Sequence, residues 1–149
     1  MIARRLLLTG VLVVVSGFGM FAQEKKMQLK NLPAAVQKAV QEHTKGATLV
    51  GFSEEREDGK VLYEAETKVN GRTRDLLFDS AGTLMEVEEE VAANTLPAAV
   101  QSALNAHGKV AMVEAVTKGS TVTYEAQVEK NGKKSEVVVD STGNAIVRK

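Results

Sequence analysis

The sequence predicts an α+β fold of two tandem repeats, each an N-terminal helix packed on a four-stranded antiparallel β-meander. Leu32-Pro33-Ala34-Ala35-Val36-Gln37 recurs as Leu96-Pro97-Ala98-Ala99-Val100-Gln101, 64 residues later. Tyr63-Glu64-Ala65, Asn70-Gly71, Asp79-Ser80 and Gly82 recur 61 residues later as Tyr124-Glu125-Ala126, Asn131-Gly132, Asp140-Ser141 and Gly143. Within each copy the apolar spacing then changes from one helical turn to two residues. The drop in offset from 64 to 61 puts a three-residue length difference between the copies inside the stretch 46–60.

The chain opens with an address. Arg4 and Arg5 precede the apolar run Leu6–Val15, and Ser16, Gly17, Gly19 and Ala22 supply small residues near a cleavage point. This is the layout of a secretory signal peptide over residues 1–22, cut after Ala22. The run Leu6–Ala22 is short for an uncleaved anchor and holds three glycines. The expected division is therefore a signal peptide at 1–22, a first repeat with a short lead at 23–90, and a second repeat at 91–149. Export to the periplasm or beyond follows, with no membrane span left after cleavage.

Each repeat begins with a helix. Leu32, Val36, Val40 and His43 fall about one turn apart beside Ala35 and Ala39, giving one apolar stripe. Pro33 suits the first turn, Asn31 and Thr95 are the expected caps, and Gly46 and Gly108 are the stop signals. After the helix, Val61, Tyr63, Ala65, Thr67 and Val69 alternate with Leu62, Glu64, Glu66 and Lys68, as in a half-buried strand.

Asn70-Gly71 and Asn131-Gly132 are two-residue hairpin turns, because a type I′ turn needs positive φ at both positions. Counting back from them sets Tyr63 opposite Phe78, Ala65 opposite Leu76 and Val69 opposite Arg72. In the second copy Tyr124 falls opposite Val139 and Ala126 opposite Val137. Both copies then place one apolar set on one face, which a one-residue slip would scatter. Earlier strands are expected at about Thr48–Glu55 and Ala111–Thr117, entered through turns at Asp58-Gly59 and Gly119-Ser120. Asp79-Ser80-Ala81-Gly82 and Asp140-Ser141-Thr142-Gly143 turn the chain again, into last strands at Thr83–Glu88 and Ala145–Arg148. Because the connection from Glu88 to Thr95 is short, the sheets of the two copies are expected to meet or continue one another, with both helices behind one extended face.

A helix opening Leu-Pro-x-x-Val, then Tyr-Glu-Ala, Asn-Gly and an Asp-x-x-Gly turn, resembles the PepSY-like family. Its fold is akin to the beta-lactamase inhibitory protein, itself a tandem duplication of a helix-and-four-strand unit. The likeness runs over about residues 29–149 in two copies. It implies a secreted or envelope-located bacterial protein without established catalysis, and a protease-inhibitory or binding role has been proposed for related domains. It supplies no ligand-contacting residues.

Composition narrows the chemistry. An apolar fraction of 44% with 26% charged residues is globular, and the absence of cysteine excludes disulfides, thiolate metal sites and thiol nucleophiles. Nineteen basic against nineteen acidic residues leave no basic footprint for nucleic acid. His43 and His107 end the two helices without metal-ligand spacing, and they read as cations at the negative end of the dipole. Glu86, Glu88, Glu89 and Glu90 lack the spaced oxygen ligands and tight glycine turn of a calcium loop, and they read as a solvated strand end and linker. No catalytic residue, metal ligand or cofactor is assigned, and the chain is read as a non-enzyme.

The sheet face away from the helices is the candidate site. Glu66 falls opposite Asp75, a like-charge pair that disfavours the ladder by up to about 1 kcal/mol. Glu64 falls opposite Leu77, Glu125 opposite Val138 and Gln127 opposite Glu136, while Glu129 meets Lys134 favourably. Leu62, Glu64, Glu66, Asp75 and Leu77, extended by Glu125, Glu136 and Val138, form a mixed apolar and acidic surface expected to face water. The expected function is a noncatalytic binding or inhibitory protein whose partner is an envelope or extracellular protein or peptide. The alternatives are an envelope structural or stability module and, last, a hydrolase or metal carrier.

Overall fold

Both Asn-Gly turns take the left-handed backbone that the hairpins need. Asn70 and Asn131 have φ of 51° and 54°, and Gly71 and Gly132 follow at 82° and 72°. The computed structural model describes residues 25–57 and 59–146; the expected signal peptide at 1–22 lies outside them. The strands are β1 (Lys25–Met27), β2 (Thr48–Glu57), β3 (Lys60–Val69), β4 (Arg72–Phe78), β5 (Leu84–Glu90), β6 (Lys109–Lys118), β7 (Thr121–Lys130) and β8 (Lys133–Asp140). The helices are α1 (Ala34–His43) and α2 (Ala98–His107). Every facing pair counted back from the two turns is present, from Val69–Arg72 to Tyr63–Phe78 and from Glu129–Lys134 to Tyr124–Val139.

The expected fold of two tandem repeats, each a helix on its own four-stranded meander, is corrected. The strands form one eight-stranded antiparallel sheet in sequential order, in which β5 pairs directly with β6. An unpaired β5 edge would leave a row of backbone groups open, and β6 covers it. Of the two arrangements expected for the sheets, continuation is the one adopted. The strand expected at Ala145–Arg148 is reduced, among the described residues, to a bridge between Ala145 and Val139 and the bond from Ile146 N–H to Val138 O at 2.8 Å. Among the described residues three strands follow α2, whereas four follow α1, and β1 adds an edge strand that the periodicity did not indicate.

The helix starts also differ. Pro33 and Pro97 stand at the N-cap positions in extended conformation and carry no side-chain cap. Asn31 and Thr95 instead end short 3-10 turns, Leu29–Asn31 and Ala93–Thr95. Gln37 and Gln101 donate back to the carbonyls of Leu32 and Leu96 at 2.9 and 2.7 Å, tying each turn to its helix. At the other end, four residues, 44–47, join α1 to β2, but Gly108 alone joins α2 to β6. The three-residue difference lies in that loop, and the strands it feeds are equally long.

Both helices cover the same sheet face. Leu32, Val36, Ala39 and Val40 pack with Ala65, Leu76 and Phe78, and Leu96, Val100 and Leu104 pack with Val113, Ala126, Val128 and Val139. Val87 joins the first core and Val91 the second. The chain thus passes from one core to the other along β5 and the residue after it, because alternate residues of an extended segment stay on one face.

Candidate functional site

Alternation sends the odd-numbered residues of β3 to the helices and the even-numbered ones to the other face. Leu62, Glu64, Glu66, Asp75, Leu77, Glu125, Glu136 and Val138 all occupy that helix-free face, brought together by the β3–β4 and β7–β8 registers. Their exposure departs from the expectation. Glu64, Glu66 and Asp75 are 1–2% exposed, and Leu62 and Leu77 are also buried. Glu125 and Val138 are half-buried, and Glu136 is exposed. The solvent-open part of this face therefore lies toward β6–β8.

The buried acids are held by specific bonds. Ser53 Oγ donates to Glu64 Oε2 at 2.7 Å, and Lys26 Nζ on β1 bonds Glu66. Gly51 faces Glu66, and a side chain there would crowd its carboxyl at 3.3 Å, so the glycine makes room. The Thr67 N–H donates to Asp75 Oδ1 at 3.0 Å. Burial nevertheless pushes the Asp75 carboxyl up to about 7, and Glu64 and Glu66 push the same way.

The glutamates at the junction are not the solvated linker that their sequence suggests. Glu86 and Glu88 are buried on β5 and face Leu77 and Asp75, whereas Glu89 is exposed on the helix side opposite Arg74. Lys118 Nζ bonds Glu86 at 2.8 Å. Burial, with Glu86 and Glu114 beside it, raises Glu88 to about 8. The signal available in the sequence is the alternation of Glu86, Glu88 and Glu90 around Val87, a strand pattern with acids on one face.

Two lines of acids cross the face. Glu66, Asp75 and Glu88 face one another in turn across β3, β4 and β5. Glu90, Glu114 and Glu125 do so across β5, β6 and β7, and all three are half-buried. Burial raises Glu114, with Glu90 and Glu136 adding repulsion. Such a face can attract a cation-bearing surface and discriminate against an anionic one.

The histidines remain apart. His43 and His107 end their helices, and the His43 ring lies 5.8 Å from that of Phe78. Among the described residues, no three His, Cys, Asp or Glu side chains are grouped to hold a metal ion, and no helix is long and apolar enough to cross a membrane.

Comparison with solved structures agrees on the fold. A protein of Bacteroides eggerthii described as "putative periplasmic" superposes with a TM-score of 0.65 at 21% identity, covering 78% of this chain and 86% of that one. A BLIP-like protein of Bacteroides fragilis gives 0.58 at 24% identity, over 77% and 83%. A DUF2874 family protein of Bacteroides uniformis gives 0.63 at 21%, over 77% and 86%. No curated protein matches the chain. The family model described as "Putative beta-lactamase-inhibitor-like, PepSY-like" matches residues 61–147, which is 87 of the 149 residues and runs from β3 through the last turn. The chain belongs to this PepSY-like, beta-lactamase-inhibitor-like family.

Proposed function

We propose that the chain is an exported, noncatalytic binding protein that presents the helix-free sheet face to a protein or peptide carrying a cationic segment. The observation that carries this reading is the Glu90–Glu114–Glu125 line, which stands half-buried beside Glu136 and Val138 on the accessible part of the face. Closely spaced acids of one sign favour a basic partner and raise its association rate. The inhibitor-like description of the family supports binding as the mode of action. The leader-like residues 1–22 and the periplasmic description of the B. eggerthii protein support export.

The burial of Leu62, Glu64, Glu66, Asp75 and Leu77 favours a second reading for that part of the face, as structural support for the sheet. The test is affinity capture from the native envelope, followed by titration of the captured partner. Glu125→Lys with Glu136→Lys should weaken binding at least tenfold and leave folding intact, and binding should fall with added salt. Unchanged affinity in this double variant, with loss in the α1 surface variant Lys38→Glu, would move the docking side to the helices. Binding to neither side, with impaired envelope integrity on deletion, would establish the structural module.

A further inference from the structure

The two halves of the chain share a sheet only through a short seam. Four residues of β5, Val87–Glu90, face four of β6, Glu114–Thr117, whereas β6 is matched to β7 from Lys109 to Lys118. One bond prolongs the seam, from Val91 N–H to Val113 O at 3.0 Å. Two of the four β5 positions carry acids on the helix-free side, Glu88 opposite Val116 and Glu90 opposite Glu114. On its other flank Glu88 faces Asp75. Both Glu88 and Asp75 are buried, and among the described residues neither is in a salt bridge.

The groups around this pair are mostly of its own sign. Strand β2 contributes Glu55, and β3 contributes Glu64, Glu66 and Lys68, with Lys26 of β1 on Glu66. Glu86 and Glu90 flank Glu88 on β5, Glu114 and Lys118 come from β6, and Glu125 and Glu136 lie farther along on β7 and β8. Glu86, two residues along on the same face, is paired with Lys118, whereas Glu88 has the like charges of Glu86 and Glu114 beside it. Burial and neighbouring like charge both disfavour an ionised carboxylate, so the proton belongs on Glu88, the member without a cation.

We propose that Asp75 and Glu88 form a proton-operated clasp at the β4–β5–β6 junction: with their protons in place the seam is closed, and losing them loosens β5 from β6. Unfolded, both carboxyls would titrate near pH 4. Folded, burial holds Asp75 to about 7 and Glu88 to about 8. The fold therefore binds more protons than the unfolded chain across this window. Its stability is full below about pH 4 and falls as pH rises from there through about 7 to 8. Above that, ionised neighbours repel one another with little water between them.

The test compares wild type, Glu88→Gln and, as control, Glu89→Gln, whose side chain is exposed on the helix side. From about pH 5 to about pH 8.5 the wild-type Tm should drop by about 5 °C or more, and Glu88→Gln should remove at least half of that drop. Glu89→Gln should follow wild type. Amide exchange at Val91, referred to its intrinsic rate at each pH, should lose protection at the higher pH in wild type and keep it in Glu88→Gln. The β3–β4 hairpin amides should keep theirs throughout. Equal pH slopes in wild type and Glu88→Gln, or uniform loss of protection over the sheet, would overturn the clasp. Should Glu88→Gln fail to fold, Asp75→Asn takes its place: a flattened pH slope supports the clasp, and a slope equal to wild type overturns it.

Discussion

Gly82 lies so close to α1 that a β-carbon there would stand 2.6 Å from the carbonyl oxygen of Ala35. Gly143 repeats the relationship with Ala99 on α2, also at 2.6 Å. Both glycines close their Asp-x-x-Gly turns at positive φ, 81° and 86°. Each turn is thereby pressed onto the first turn of a helix, and the helix is fixed over the sheet by backbone contact as well as by its apolar stripe.

Gly82→Ala should consequently lose about 2–4 kcal/mol, from the left-handed backbone and from the displacement of Ala35 together. Gly71→Ala shares the positive φ but meets nothing within 4 Å, so its loss should be nearer to about 1 kcal/mol. Urea unfolding of the two variants measures the difference. Equal losses would show that the contact with α1 contributes nothing.

Phe78 is fully buried between the sheet and α1, beside the His43 ring. Phe78→Ala should cost about 3–5 kcal/mol through lost burial and the cavity left behind. Met85, 40% exposed, should cost about 0.5 kcal/mol or less when cut to Ala. Thermal denaturation distinguishes these outcomes directly.

Asp140 concentrates the hydrogen bonds of the last turn. Its Oδ1 accepts from Thr142 N–H at 2.8 Å, Thr142 Oγ1 at 2.7 Å and Asn144 N–H at 3.0 Å. These bonds favour the charged form and hold its carboxyl down to about 2. The turn's contribution is present above the ordinary Asp range and lost as pH falls through about 2. Carboxyl NMR should place the midpoint there, and Thr142→Ala should move it upward. A midpoint in the ordinary range would refute the bonding pattern.

Residues 24–90 and 91–149, produced separately, should fold poorly. Each has roughly 60 residues, a size at which only about 60% of the chain's surface is buried, and each would expose an edge of the seam, β5 or β6. Circular dichroism should show weak or noncooperative melting. Two halves that melt at the parent's temperature would mean the shared sheet adds no stability.

The candidate face is legible in the sequence because a two-residue Asn-Gly turn dictates its own register. Placing Glu66 opposite Asp75 needs only local chemistry and counting, and the structure has that pair. Their burial is not legible. It depends on what stands beside them across the sheet, namely Lys26 from β1 and Glu88 from β5, and nothing local to β3 or β4 specifies those neighbours.

By itself the sequence determined the ends of both helices at His43 and His107, the two hairpins and their facing pairs, and the apolar set that each helix covers. All of these follow from interactions within a few residues or from a strict period of two. Only the tertiary structure decided that β5 continues into β6, that Pro33 and Pro97 stand at the helix starts without side-chain caps, and that Glu86 and Glu88 lie inside the sheet. Strand edges carry the same backbone groups whatever their side chains, so the choice of neighbour is made by which edges packing leaves open. Here the two helices lie on one face, the edges of β5 and β6 meet, and the glutamate run of β5 becomes one side of the join.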